Sequence, residues 1–342
     1  MPVEPAPRIK RSFAVIGHSP DVVELRHGTW NTVAHTVRDD SRNGRLLTLI
    51  SALDGTSSPA ELAALHRIEQ DEVDVLISHL RNLGVLEDNP SSALDHYLDT
   101  HAALLRAPQP PPPRPVRVLG DADLADSVAG MVRQALPGVD VAPDTAGLAL
   151  KVLDPEPGWA RDELWLSQTA AQFDDYQDAI VVWAQYRPDP LRIEVFNRIA
   201  LRRGIRWVHG TIDGPFMIVG PSFRPGATAC YQCLETRVLM NLKNSASYQD
   251  YKTALARAAA SGGDPPVLTP LRHLLAAYLA LEAVNLHSTD AAYTTGKAFA
   301  IYLPTWEHTA QEVLAVPGCT ACGSAEEEEL YFDAGAWLDA QD

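Results

Sequence analysis

Pro221–Leu234 reads P-S-F-R-P-G-A-T-A-C-Y-Q-C-L and contains the Cys-x-x-Cys pair Cys230 and Cys233. A second pair, Cys319 and Cys322, follows in P-G-C-T-A-C-G, and these four are the only cysteines among 342 residues. Two intervening residues let both sulfurs of a pair turn toward one point. Two such pairs supply a closed tetrahedral thiolate site, with Zn–S bonds of about 2.3 Å. The ligand count makes structural zinc the expectation. Two redox disulfides are the alternative, although a redox pair usually stands alone after a βαβ signal, without a matching second pair. The long gap between the pairs means that a shared metal would join segments distant in sequence.

The totals narrow the field. A chain of 342 residues suggests two or three domains, and 46% apolar residues suffice for real cores. The formal net charge is −16, with 28 Lys plus Arg against 44 Asp plus Glu. Nucleic acid and anionic membrane surfaces both demand a cationic face, so neither is an expected partner. No apolar run reaches the roughly 18 residues of a membrane span. The opening M-P-V-E-P-A-P-R-I-K-R has no apolar core behind its charges, unlike a signal peptide. Cysteines arranged as metal pairs fit a reducing, cytoplasmic setting.

Residues 12–90 read as a first domain. Ser12–Ser19, Asp21–His27 and Asn31–Arg38 have strand character. Leu46, Leu47, Leu49, Ile50 and Leu53 then mark a helix. Ser58-Pro59-Ala60-Glu61 carries the capping signals of a second helix. A third spans Gln70–Leu83, with Val73, Leu76, Ile77 and Leu80 on one stripe, and stops at Gly84. Three strands and three helices predict a winged helix-turn-helix. Asp71, Glu72 and Asp74 on the last helix would repel phosphates, which argues against the DNA-reading use of that shape and leaves a DNA-binding regulator with a zinc-stapled body as the third reading. The other use is peptide capture on an edge strand beside an apolar groove. The pattern D-V-V-E-L-R-H…L-L-T-L-I-S-A-L-D-G…D-E-V-D-V-L-I-S-H-L-R-N-L-G-V-L resembles the PqqD-like leader-peptide recognition element of peptide natural-product pathways. That resemblance implies that a precursor's leader adds as a strand beside Thr32, Val33, Ala34, His35, Thr36, Val37 and Arg38. It would then pack near Val73, Ile77, Leu80 and Arg81. The apolar stripe serves equally well as core.

Residues 91–115 combine a short helix over Ser91–Arg106 with the stiff spacer A-P-Q-P-P-P-P-R-P. From residue 116 to about 324, strand and helix patterns alternate, which predicts a doubly wound, mostly parallel α/β sheet. Expected strands cover Val116–Gly120, Ala149–Leu153, Asp178–Trp183, Ile205–Thr211, Phe216–Val219, Ala298–Leu303 and Glu312–Val316. Expected helices cover Asp121–Leu136, Trp159–Phe173, Pro190–Arg203, Leu234–Leu242, 247–260 and 269–287. Residues 325–342, with Glu326–Glu329 in a row, form an acidic tail. The first strand and helix open like a nucleotide-binding unit. Gly120-Asp121-Ala122-Asp123-Leu124-Ala125 stands where G-x-G-x-x-G belongs, and two carboxylates there oppose a pyrophosphate.

The order D-A-I-V-V-W, F-N-R-I-A-L-R-R-G-I-R-W-V-H-G-T-I-D-G, V-G-P-S-F-R-P-G-A-T-A-C-Y-Q-C-L and C-T-A-C-G is similar to the ThiF-like, ubiquitin-activating superfamily. It resembles most the ThiF-like partners of YcaO cyclodehydratases in thiazole/oxazole-modified microcin, bacteriocin and thiopeptide biosynthesis. What the resemblance implies is a scaffold, often dimeric, that holds the leader while the YcaO protein uses ATP to cyclise Cys, Ser or Thr. With all four cysteines on zinc, no thiol is left for a thioester. ATP chemistry in this chain is not expected. The alternative is an ATP-dependent adenylating enzyme acting on a peptide or carrier terminus.

Among single residues, His209 follows a strand, where a base could sit, but a packed histidine is commoner there. Arg198, Arg202 and Arg203 suit either phosphates or a helix C-terminus. Trp159, Trp165 and Trp183 read as core.

Overall fold

The computed structural model describes residues 6–30, 33–87, 92–105, 111–144, 149, 153, 162–256 and 266–323. The chain divides into two compact units, Met1–Leu104 and Leu105–Asp342.

In the first unit, β1 (Arg8–Ile9) precedes a three-stranded antiparallel sheet of β2 (Ala14–Ser19), β3 (Val22–His27) and β4 (Val33–Arg38). Three helices follow: α1 (Leu46–Ala52), α2 (Pro59–His66) and α3 (Gln70–Asn82). Sequence explains their ends. Ser58 and Glu61 close a reciprocal capping box at the start of α2, with Pro59 as its first residue. The chain then forms β5 (Leu86–Glu87), which pairs with β1, a pairing not anticipated from residues this short. Next is α4 (Ala93–Thr100), capped by Ser92 and Asp95. Val23, Leu25, Ile50, Leu62, Val73, Ile77 and Leu80 share one core.

The second unit is built on a seven-stranded sheet. In chain order its elements are β6 (Val116–Gly120), α5 (Ala122–Ala135), β7 (Val141–Pro143), α6 (Glu163–Ala171), β8 (Ile180–Ala184) and α7 (Pro190–Arg203). Then come β9 (Arg206–Asp213), β10 (Phe216–Phe223), α8 (Tyr231–Asn241), α9 (Ser245–Ala256), α10 (Thr269–Thr289), β11 (Lys297–Tyr302) and β12 (Glu307–Glu312). The strand order is β12-β11-β10-β9-β8-β6-β7. Neighbours from β7 to β9 pair in parallel, and those from β9 to β12 pair antiparallel. The four parallel strands match the doubly wound expectation, and hairpins extend the sheet beyond them. β8 is buried along its whole length, as a strand covered on both faces must be. Asp189 caps α7, Pro190 opens it, and Gly204 at φ 68° ends it as its sequence requires.

Several expected elements shift. The strand expected over Glu312–Val316 is instead β12, which ends at Glu312. Its register is set by the hairpin with β11, Tyr302 facing Glu307, and its wholly exposed residues lack the apolar alternation that marks a strand. Val141–Pro143 is a strand that its short length concealed. The strand expected over Ala149–Leu153 falls largely outside the described residues. At its ends Leu153 N–H donates to Ala149 O, a helical spacing rather than an extended one. α8 begins at Tyr231, three residues before the expected start. The expectations for Asn31, Thr32, Ala107–Pro110, Trp159, 257–260 and the acidic tail 325–342 also lie outside the described residues.

A buried polar knot fixes the end of β10. The Glu282 carboxylate of α10 accepts from the Thr294 N–H at 2.9 Å, from the Thr294 hydroxyl and from Ser222 Oγ at 3.5 Å. Burial pushes the Glu282 carboxyl above its ordinary range despite these bonds. Just before Ser222, Pro221 occupies a bulge in β10, where a missing N–H does no harm.

Candidate functional site

Beyond β10 the chain turns through Arg224–Cys230. Gly226 there has φ 78°, and Arg224 N–H bonds Thr228 Oγ1 at 2.9 Å. Cys230 is the N-cap of α8 and Cys233 lies in its first turn. Asn197 of α7 anchors this turn by accepting from Tyr231 N–H at 2.9 Å. The second pair arrives from β12 through Val313–Pro317. Arg237 of α8 holds that segment by donating to Leu314 O at 2.8 Å and Ala315 O at 3.3 Å. Gly318, at φ 67°, and Gly323 then fold the knuckle. A Cβ on Gly323 would sit 2.6 Å from Cys319 O.

The four sulfurs lie within 4.8 Å of one another. Cys230–Cys233 is 3.9 Å, Cys230–Cys319 is 3.8 Å and Cys233–Cys322 is 3.5 Å. A tetrahedron with metal–sulfur bonds of about 2.3 Å has edges of about 3.8 Å, so the set fits one four-coordinate ion. The distances far exceed the roughly 2.05 Å of a disulfide, and the shortest joins different pairs. Val316 N–H donates to Cys233 Sγ at 3.3 Å, a bond that favours thiolate. Without a cation, burial first of all, with Cys319 and Cys233 close by, pushes the Cys230 thiol up to about 11. A divalent cation reverses that preference, because a coordinating thiol loses its proton. Cys230, Cys233 and Cys319 are buried and Cys322 is partly exposed. Four thiolates leave no open position for a substrate.

The carboxyl ends of β6 and β8 flank the switch point where α/β sheets take nucleotides. Here two carboxylates at the start of α5 bond to the chain's own groups. Asp121 accepts from Tyr186 N–H at 2.6 Å. Asp123 accepts from the Tyr186 hydroxyl at 3.0 Å and from Arg272 Nη1 at 2.6 Å. Burial opposes the Asp123 charge, but Arg272 and Tyr186 outweigh it, and the carboxyl sits below its ordinary range. At this helix start an anion would meet two carboxylates, one of them firmly ionised.

In the first unit, β4 is an edge strand. Asp39 N–H donates to Asp21 O at 3.0 Å, which sets the phase of the β3–β4 ladder. Alternation then directs the N–H groups of Ala34, Thr36 and Arg38 to the open side. Val33, Ala34, Thr36 and Arg38 are exposed, His35 is half-buried beside Phe13, and Val37 is buried. Thr32 lies outside the described residues. Val73, Ile77 and Leu80 are 2%, 4% and 0% exposed, so they belong to the core and leave the peptide-facing set. The helical stripe that turns one way cannot also turn the other. The solvent-facing apolar residue of α3 is Val75, at 70% exposure, beside a cavity of about 450 Å³ that Asp39, Asp71 and Glu72 also line. Arg81 is exposed in the last turn of α3.

No family model matches the sequence, and no curated protein does. Solved structures do match in fold. The heterocyclase TruD superposes with a TM-score of 0.63 at 20% identity, over 93% of this chain and 43% of its own. A heterocyclase in complex with substrate and cofactor gives 0.65 at 16% identity, over 93% and 40%. E. coli MccB gives 0.50 at 15% identity, over 93% and 97%. The fold is ThiF-like. The chain spans about two fifths of the length of the two heterocyclases and nearly all of MccB.

In the second unit, His209, Trp183, Arg202 and Arg203 are packed or paired within the chain. His209 is 6% exposed among Trp207, Phe223 and Tyr231, with ring centroids 5.9–6.1 Å away. Burial pushes it down to about 4. An unfolded histidine titrates near about 6.5, so below that pH the unfolded chain takes up a proton that the folded chain refuses. The contribution of His209 is therefore fully present well above pH 6.5 and is lost, by about 3 kcal/mol, as the pH drops to 4. Urea unfolding of His209→Phe should show a correspondingly shallower pH dependence than the parent over that window.

Arg202 pairs with Glu163, and Arg203 pairs with Asp174 at 3.0 Å and donates to Ala170 O, so both tie α7 to the α6 region. Trp183 is fully buried and Trp165 packs on the same core. Sequence reading missed one cluster. Lys252 of α9 reaches Glu194 at 2.6 Å and Glu235 at 2.8 Å, and the Tyr248 hydroxyl donates to Glu235 at 3.0 Å. These charges clamp α9 onto α7 and α8. Helical spacing shows only Tyr248 and Lys252 on one face, not the glutamates from two other helices.

Proposed function

We propose that the chain binds the leader of a ribosomally made precursor peptide and presents the precursor to a separate YcaO cyclodehydratase. That enzyme would form azoline or azole rings from Cys, Ser or Thr. Residues 12–90 take the PqqD-like, winged helix-turn-helix role, 91–115 link, and 116–324 form the ThiF-like body. The observation that carries the reading is a fold shared over 93% of the chain with two heterocyclases, one of them solved with substrate and cofactor.

The leader adds as a strand along β4, using the outward N–H groups of Ala34, Thr36 and Arg38, and lies against Val75 of α3. Tethering raises the effective concentration of the core peptide at the partner's active site without new contacts at the reacting atoms. Zinc on Cys230, Cys233, Cys319 and Cys322 braces the knuckle and takes no part in the chemistry. A reducing cytosol keeps those thiols available to it.

Fluorescence anisotropy with a labelled leader peptide tests the reading. Proline at Ala34 or Thr36 removes an outward donor without breaking a bond to β3. Each variant should bind at least about ten-fold more weakly, with an unchanged fold by circular dichroism. Undiminished binding would sink strand addition.

The likeness to MccB, one of whose structures is a complex with ATP, favours the second reading, an adenylating enzyme. Asp121 and Asp123 speak against it. ATP–pyrophosphate exchange by the purified chain decides between the two, and sustained exchange without a partner would overturn the scaffold reading.

A further inference from the structure

Three arginines of the second unit gather at one end of the large sheet. Arg114 precedes β6, Arg206 opens β9 and Arg224 follows β10, whose end lies beside the start of β9 because Phe223 faces Trp207. This is the amino end of the parallel strands, opposite the end that carries Asp121 and Asp123. The anion among them is Asp290, the C-cap of α10. Its Oδ1 lies 2.6 Å from Arg206 Nη1 and its Oδ2 2.9 Å from Arg224 Nη2. Each oxygen is thus committed to one guanidinium. Arg114 is left with the Asp178 carbonyl at 3.4 Å and, at 4.0 Å, an Asp178 carboxylate that is 94% exposed. Such an exposed pair contributes little. The Nε atoms of Arg114 and Arg224 are buried without an acceptor among the described residues, and an unmade buried bond is costly. Burial first, then Arg114 and Arg224, hold the Arg206 guanidinium below its ordinary value against the pull of Asp290. The cluster is short of an anion, and its side chains, 18%, 23% and 29% exposed, are open to one.

The chain carries a matching group nearby. The described residues end at Gly323, in the zinc knuckle. Cys322 lines a cavity of about 700 Å³ together with Gly226, Thr228, Thr295 and Glu312. Two walls of that cavity lead back to the arginines. Thr228 accepts from the Arg224 N–H at 2.9 Å, and Thr295 belongs to the loop that starts at Asp290. Glu326–Glu329 begins three residues past Gly323. At about 3.3–3.6 Å per residue, the run has a reach of roughly 10–20 Å from the knuckle. We infer that Arg114, Arg206 and Arg224 form an oxyanion site whose ligand is a carboxylate of the chain's own acidic run, Glu326–Glu329. Guanidinium and carboxylate pair through short, charge-assisted bonds. The run thereby screens a cationic patch that would otherwise take anions from solution. This inference does not depend on the leader-binding reading.

The test compares the full chain with a quadruple variant that combines Glu326→Gln, Glu327→Gln, Glu328→Gln and Glu329→Gln, which empties the site without touching it. The probe is inorganic phosphate, titrated calorimetrically at constant ionic strength. A tethered carboxylate competes at millimolar effective concentration, so the quadruple variant should bind phosphate at least about ten-fold more tightly than the parent. Adding Arg114→Gln should remove that binding; Arg206 and Arg224 are left alone because they brace Asp290. A glutamate-specific protease gives a second readout that needs no arginine variant. It should cut the parent within Glu326–Glu329 about ten-fold more slowly in low salt than in high salt, with no such salt effect in Arg114→Gln. Equal phosphate binding by parent and quadruple variant would make a free anion the ligand and overturn the acidic run as occupant. Binding by neither, or binding that survives Arg114→Gln, would overturn the site itself, and cutting at one rate in both salts would overturn the contact.

Discussion

Purified from zinc-containing medium, the protein should carry one zinc ion per chain, and Cys233→Ser should reduce that to a small fraction. Cys233 is fully buried, takes an N–H bond from Val316 and joins α8 to a knuckle 89 residues further along. Structural zinc contributes an apparent 10 kcal/mol or more in small zinc domains, so about 5 kcal/mol is a cautious figure inside a larger unit. For a unit of this size that corresponds to a fall of about 10–20 °C in the unfolding midpoint. Calorimetry of the variant, and of the parent after chelation, should agree. If the parent instead holds no metal and shows two disulfides by mass, the redox alternative is correct.

Gly120→Ala should be the most damaging small substitution in the α/β unit. Gly120 has φ 128°, and an added Cβ would lie 1.7 Å from Ala184 O, the acceptor of the Asp121 N–H at 2.9 Å. Neither partner can move without separating β6 from β8. Positive φ alone costs about 1–3 kcal/mol, and with the clash the loss should exceed about 4 kcal/mol. The unfolding midpoint should drop by about 10 °C or more. Gly130→Ala provides the control. It lies within α5 with nothing within 4 Å of the new methyl, and should stabilise the unit by about 0.5–1 kcal/mol. Similar effects for the two would mean that the β6 turn is looser than described. Gly120 thus keeps its fingerprint role of close approach, although the loop beyond it presents carboxylates to any phosphate.

Much of the candidate site was legible in the sequence because its signals are local. A Cys-x-x-Cys pair turns its sulfurs together whatever surrounds it. Ser58 with Glu61, and Asp189-Pro190 with Gly204, mark helix ends through backbone groups a few residues away. Asp121 and Asp123 declare a loop hostile to phosphate before any fold is known. The scaffold's long βα elements were readable for the same reason.

Tertiary structure decided the rest. Only the folded sheet brings Cys319 and Cys322 to Cys230 and Cys233, because the β11–β12 hairpin, paired on β10, carries the chain back to the start of α8. Only packing showed that Val73, Ile77 and Leu80 face inward while Val75 faces out, since helical spacing defines a stripe but not its direction. Ladder phase selected Ala34 and Thr36 as outward donors. Propensity travels with the residue, whereas burial, register and the open side of a strand belong to its neighbours.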